Sequence, residues 1–182
     1  MDDKSISGHS INSDSILRDF CHSLLSTVAD SREEFSGIGM MIYDENFHLD
    51  KCIALRPNLN IPKNLYLGEE STTIFLCEIS NKEHPAHDGY ILFNSEGVLT
   101  HVAQYLCTPM NNDIKPHPNH GVRYITSTLA SQMPGVILVG NASTDKSAFL
   151  FISGNSIQLD TPRSKKTVNQ YFHNIATSFQ EP

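Results

Sequence analysis

The chain has 182 residues, 39% hydrophobic and 18% charged, with a formal net charge of −7. That length suits one globular core rather than two, and the acidic balance excludes a general binder of nucleic-acid polymers, which needs a basic face. No apolar run approaches the roughly 18 residues of a membrane span, so no membrane segment is expected. The polar opening MDDKSISGHSINSDS lacks an apolar signal core, which makes a cytoplasmic location the expectation.

Residues 1–13 show little periodicity and read as a flexible tail, leaving 14–182 as a single domain. A helix starts at Ser13 or Asp14. Ile16, Phe20, Leu24 and Val28, with Leu17, Cys21 and Leu25 beside them, draw one wide apolar stripe. Gly37 to Tyr43 is an apolar run of strand length whose glycines permit close packing. Leu49 to Leu55 reads as a second strand, and Ser71 to Ile79 as a short helix. Tyr90–Phe93, the turn Asn94-Ser95-Glu96-Gly97 and Val98–Leu106 form a β-hairpin.

A loop rich in Pro, Asn and His runs from Thr108 to His120. Gly121 then opens a helix in which Val122, Ile125 and Leu129 share a face. Val136–Val139 and Ala148–Ile152 are buried-strand signatures, and Gly154-Asn155 turns the chain. Thr161 and Pro162 start a last helix with Val168, Tyr171, Phe172, Ile175 and Phe179 on its buried stripe. Helices open and close the chain and strands outnumber them. The expected fold is α/β in the mixed α+β sense, a central mixed β-sheet flanked by helices.

Three polar stretches could carry chemistry. His87-Asp88-Gly89-Tyr90 sets a carboxylate and a glycine where the chain enters a strand, although Asp-Gly is also an ordinary turn. His120-Gly121-Val122-Arg123-Tyr124 stands at a helix N-terminus, where free N–H groups, the helix dipole and a guanidinium suit an anion. Gly140-Asn141-Ala142-Ser143-Thr144-Asp145 reads as a polar turn after a strand, the position at which α/β sheets bind ligands. His84 and His87, and His117 and His120, are each three apart. No further zinc-type ligands accompany them, so solvated or supporting histidines are the simpler reading. Cys21, Cys52, Cys77 and Cys107 form no Cys-x-x-Cys pair and read as buried thiols. Arg163, Lys165 and Lys166 read as a solvated run on the last helix.

Taken in order, these stretches resemble the diadenylate cyclase domain. That family has an Asp-Gly-Ala motif at a strand start and a hairpin ending in a Leu-Pro-Leu-like segment. A Gly-Thr-Arg-His-Arg segment at a helix start and a strand running into Ser-Glu-Glu follow. Here the counterparts are His87-Asp88-Gly89-Tyr90, Tyr105-Leu106-Cys107-Thr108-Pro109, Gly121-Val122-Arg123-Tyr124-Ile125 and Asn141-Ala142-Ser143, across roughly residues 35–160.

The resemblance implies a nucleotide site of Asp88, Gly89, Tyr90, Thr108, Gly121, Val122, Arg123, Tyr124, Asn141 and Ser143, with Tyr90 and Tyr124 available to stack on a base. It further implies ATP or a cyclic dinucleotide as ligand, and a homo-oligomer in which protomers face each other. If the chain is catalytic, it implies Mg²⁺ or Mn²⁺ on Asp88, which would also help activate the attacking hydroxyl. The departures are specific. Tyr124 and Ile125 stand where the family has His and Arg, and Ala142 and Ser143 replace an acidic pair. Each lost preorganised contact costs about 2.7–4 kcal/mol, roughly 100- to 1,000-fold in rate. The expectation is therefore a nucleotide-binding, sensor-like module with little or no cyclase activity. An active cyclic-dinucleotide synthase, with Lys115, His117 and His120 standing in for lost donors, is one alternative; an interaction module that kept only the fold is the other.

Overall fold

The computed structural model describes residues 13–109 and 121–160. The loop at 110–120, the expected C-terminal helix with its basic run, and residues 1–12 of the tail lie outside the described residues. Helix α1 (Ser13–Asp30) and strand β1 (Ile38–Tyr43) are followed by a single 3-10 turn (Leu49–Lys51) leading into β2 (Cys52–Ala54). Then come α2 (Glu70–Ile79), β3 (Tyr90–Asn94), β4 (Leu99–Leu106), α3 (Val122–Ala130), β5 (Val136–Ala142), β6 (Ala148–Ile152) and β7 (Asn155–Leu159). The strands form one mixed sheet in the order β2-β4-β3-β1-β5-β6-β7. Only β1 and β3 run parallel among the described pairs. That pairing requires a crossover, and α2 lies within it.

Strand alternation divides the side chains between two cores. Ile38, Met40, Ile42, Ile91, Phe93, Leu138 and Leu150 face α1 and α2, where Phe20, Leu24, Leu25, Leu76 and Ile79 are fully or almost fully buried. Each such side chain contributes about 1.5–3 kcal/mol of transfer free energy. Close approach of α1 depends on Gly140, because a Cβ there would stand 2.5 Å from the Phe20 ring. On the other face Met41, Leu92, Leu106, Val139, Phe149 and Phe151 pack with Ala130 and Met133 at the end of α3.

The expected α1 stripe is buried except at its N-terminal end, where Ile16 is half-buried and Leu17 is 39% exposed. Ser23 and Thr27 enter the same interface with partners: Gly68 N–H donates to Ser23 Oγ (2.9 Å), and Thr27 Oγ1 donates to the Ser23 carbonyl (2.7 Å). The expected strand over Leu49–Leu55 is shorter, since its first three residues form the 3-10 turn and only Cys52–Ala54 pairs with β4. The hairpin turn forms through Gly97 N–H to the Asn94 carbonyl (2.9 Å), with Asn94 Oδ1 accepting from Val98 N–H (2.9 Å).

Helix α3 departs furthest from its sequence pattern. Val122 is 80% exposed and Ile125 and Leu129 are half-buried, whereas Ser127, Thr128 and Ala130 face the sheet. The sheet supplies the volume with Tyr90, Phe149 and Phe151, so the helix fits only with its small side inward. The buried hydroxyls keep partners: Thr128 Oγ1 donates to the Tyr124 carbonyl at 3.0 Å. No described helix is long and apolar enough to cross a membrane.

Candidate functional site

Register aligns the three central strands in one row. Gly39 of β1 stands opposite Tyr90 of β3 on one side and Asn141 of β5 on the other. The missing side chain at Gly39 makes room for the Tyr90 ring, whose nearest atoms would be 2.8 Å from a Cβ. Lying over Gly39, the ring sends its hydroxyl to α3, where it donates to the Arg123 carbonyl (2.9 Å) and shares a hydrogen bond with Ser127 Oγ (2.9 Å). Asn141 Nδ2 reaches the same Ser127 Oγ at 3.5 Å, while Asn141 Oδ1 is buried without a partner. Burial pushes the Tyr90 phenol well above its ordinary range, against the opposing pull of Ser127 and Arg123. The phenol therefore remains a neutral donor.

Arg123 lies in the first turn of α3, whose N-cap is Gly121. Its Nη1 donates to the Ser36 carbonyl at 3.3 Å. The guanidinium lies against the bare α-carbon of Gly37, a residue at φ +84° whose Cβ would also come 2.6 Å from the Ala142 carbonyl oxygen. Start of β1, end of β5 and start of α3 thus meet at one point. Ser143 sits half-buried in the following turn, its N–H bonded to the Ser147 carbonyl at 2.9 Å.

Asp88 precedes β3 at the same end of the sheet, since β3 runs parallel to β1. Its carboxylate is 58% exposed, with Oδ1 3.3 Å from His87 Nε2. The His87 Nδ1 lies 2.7 Å from the His84 carbonyl. Gly89, at φ +86°, is there because β4 crosses it: a Cβ would stand 2.8 Å from the Gln104 carbonyl oxygen. Its backbone role is structural as well as any other it serves.

Several expectations need correction. Asn141 is not in a polar turn, because β5 continues past Val139 to Ala142 and Asn141 is 2% exposed within it. Pairing with both β1 and β6 overrides the polarity of the sequence there. Tyr90 is 4% exposed and committed to α3, so its ring is not free to stack on a base. Tyr124 is held by edge contacts to Phe149 and Phe151 (centroids 5.3 and 4.9 Å) and by its hydroxyl to Ser156 Oγ (2.7 Å).

Thr108 follows the end of β4, its N–H donating to the Leu106 carbonyl at 3.0 Å. Its neighbours Cys107 and Pro109 line a cleft of about 260 Å³ with Phe47, Met133 and Pro134, beyond the C-terminal end of α3. A cavity of about 590 Å³ between the C-terminal ends of α1 and α2 holds none of the motif residues. Sequence reasoning missed Ser36 and Ser127; neither has a pattern around it that marks a polar contact. Gly37 and Gly39 were recognisable as close-packing glycines, without their partners.

No group of three or more His, Cys, Asp or Glu able to hold a metal occurs among the described residues. His117 and His120 lie outside them. Asp88 with His87 is a poor metal cradle unaided; a Mg²⁺ ion on one carboxylate requires phosphate oxygens from a nucleotide as further ligands.

The folded chain is similar to DacA from Staphylococcus aureus, determined as a double mutant, with a TM-score of 0.54 at 12% identity over 92% of this chain and 97% of that one. The fold is diadenylate-cyclase-like. A hypothetical membrane-spanning protein from Bacillus cereus is similar at TM-score 0.54 and 17% identity, covering 78% of this chain but only 62% of its own length. No family model and no curated protein matches the sequence. At these identities the likeness concerns the fold, and the mixed sheet flanked by helices agrees with it.

Proposed function

We propose that this chain is a nucleotide-binding module on a diadenylate-cyclase-like fold, with little or no cyclase turnover. The observation that carries the proposal is convergence. Arg123 and the Asn141–Ser143 segment, from separate parts of the chain, come together through Tyr90, Ser127 and Gly37, and Asp88 precedes β3 at that same end of the sheet. A helix start with glycine at its N-cap, beside a guanidinium, is a suitable seat for a phosphate. The chemistry of turnover has less support: Ala142 is buried and apolar where the resemblance implies a carboxylate, and Tyr124 is locked among aromatic rings. Phosphoryl transfer depends on neutralising charge as it develops, and these substitutions remove the groups that would do so.

Calorimetric titration of the full chain with ATP and cyclic dinucleotides tests the proposal. Saturable binding weakened by Arg123→Ala is expected, and absence of binding by every nucleotide refutes it. Exposed Asp88 favours one second reading, an active synthase that brings a divalent ion in with ATP. Incubation with ATP and Mn²⁺ separates the two, because a cyclic product abolished by Asp88→Asn would establish turnover.

A further inference from the structure

We propose that Cys107 is a site of oxidation by hydroperoxides, with Cys52 as the second thiol that closes the product into a disulfide, whether or not the chain binds a nucleotide. Of the four thiols only Cys21 is buried as its sequence suggests; Cys52, Cys77 and Cys107 are half-buried. Cys52 pairs in β2 with Leu106, the residue before Cys107. Cys107 N–H donates to the Lys51 carbonyl at 2.8 Å, and that carbonyl carbon is bonded to the Cys52 nitrogen. Ordinary bond lengths on either side of the hydrogen bond keep the two α-carbons within roughly 7 Å, the outer reach of a disulfide.

In a regular ladder, residues one position out of register point to opposite faces of the sheet. Strand β4 ends at Leu106, however, and Cys107 leaves that alternation. Cys52 packs on the core that holds Leu106, Phe47 and Met133, and Cys107 lines the cleft of about 260 Å³ with the same Phe47 and Met133. Both thiols therefore belong to the α3 face, at one edge of the sheet. Burial first, then the neighbouring Cys107 and Asp50, push the Cys52 thiol up to about 11. Cys21 and Cys77 lie on α1 and α2 against the other face, where Cys77 Sγ donates to the Thr27 carbonyl at 3.7 Å.

These positions divide the roles. Cys107 opens onto the cleft, whereas burial keeps Cys52 a protonated thiol until its neighbour has reacted. The Cys107 thiolate attacks one oxygen of hydrogen peroxide: an S–O bond forms, the O–O bond breaks, and hydroxide leaves a sulfenic acid behind. His48 and Lys51 line the same cleft and can pass a proton to that hydroxide. Cys52 gives up its proton as its sulfur attacks Cys107 Sγ; the S–O bond breaks and the oxygen departs as water. Two thiols and one peroxide thus yield one disulfide and two waters. The crosslink ties β2, at the edge of the sheet, to the chain leaving β4.

Treating the reduced, folded full chain with hydrogen peroxide, followed by digestion and mass spectrometry, tests this assignment. A peptide pair joined through Cys52 and Cys107 is expected, lighter by about 2 Da than the two thiols and separated again by dithiothreitol. Cys107 should be oxidised at least about 10-fold faster than Cys77, which serves as the internal comparison. In Cys52→Ser the reaction should stop at a Cys107 sulfenic acid that dimedone captures, and in Cys107→Ser the thiol of Cys52 should stay reduced; thermal melts check that both variants fold. Oxidation of Cys77 as fast as Cys107 overturns the site. A crosslink that forms only after unfolding in urea, or only between two chains on a non-reducing gel, overturns the pairing. Dimedone capture of Cys107 in the parent as complete as in Cys52→Ser overturns the role of Cys52.

Discussion

Removing one oxygen, by Tyr90→Phe, tests how α3 is anchored to the sheet. The ring would remain over Gly39, because its packing there does not involve the hydroxyl. The Arg123 carbonyl would lose its 2.9 Å donor, and Ser127 Oγ would keep only the 3.5 Å approach of Asn141. A buried neutral hydrogen bond contributes about 0.5–1.5 kcal/mol net, and stranding a buried partner adds to that, so a loss of about 2 kcal/mol is expected.

For a domain of this size that corresponds to a melting point lower by roughly 4–8 °C. Urea unfolding followed by circular dichroism gives the free energy, and the slope against denaturant should be unchanged because no surface is newly exposed. Nucleotide affinity should fall as well, since the start of α3 loses its tether. A variant within about 0.3 kcal/mol of the parent would refute the anchoring role, and with it the idea that Tyr90 is structural rather than a ligand contact.

Gly37→Ala should weaken nucleotide binding by more than Tyr90→Phe does, because the new Cβ collides with the Arg123 guanidinium and approaches the Ala142 carbonyl at 2.6 Å. The left-handed backbone there adds about 1–2 kcal/mol of strain. Parallel calorimetry and melts will read both effects, and unaltered affinity would disprove the placement of Arg123. His101 has a folded pKa lowered by burial, with its Nδ1 buried and unpartnered. Its contribution to stability is therefore complete above the unfolded value near pH 6.5 and is lost as the pH falls below it toward the folded value. Urea titrations at pH 7 and pH 5.5 should show a smaller acid loss in His101→Gln than in the parent; equal losses would contradict this. Burial pushes the Cys21 thiol up to about 12. Iodoacetamide at pH 8 should leave Cys21 unmodified by mass spectrometry until the chain is unfolded, and rapid native labelling would show that α1 is less firmly packed than described.

Local patterns were enough to read α1, α2, β1, the β3–β4 hairpin, β6 and β5 as far as Val139, because each is set by neighbours in the chain. Apolar residues at helical spacing in Phe20–Val28, or a turn such as Asn94–Gly97, impose their structure on neighbours in the chain. The ordered motifs likewise carried the resemblance to a cyclase fold. What sequence could not determine were the choices made across the sheet. Asn141 has the polarity of a turn residue, yet pairing on both sides keeps it in a strand. Val122, Ile125 and Leu129 have the pattern of a buried face, yet aromatic side chains of the sheet leave room only for Ser127 and Ala130.

The site divides in the same way. Asp88 and Arg123 could be named from their neighbours in sequence, as a carboxylate before a strand and a cation at a helix start. Their company could not. Ser36, Gly37 and Ser127 enter through contacts between residues far apart in the chain, such as the 87-residue separation of Ser36 and Arg123. Local propensity has no term for such meetings; only the strand order and its register bring those atoms together.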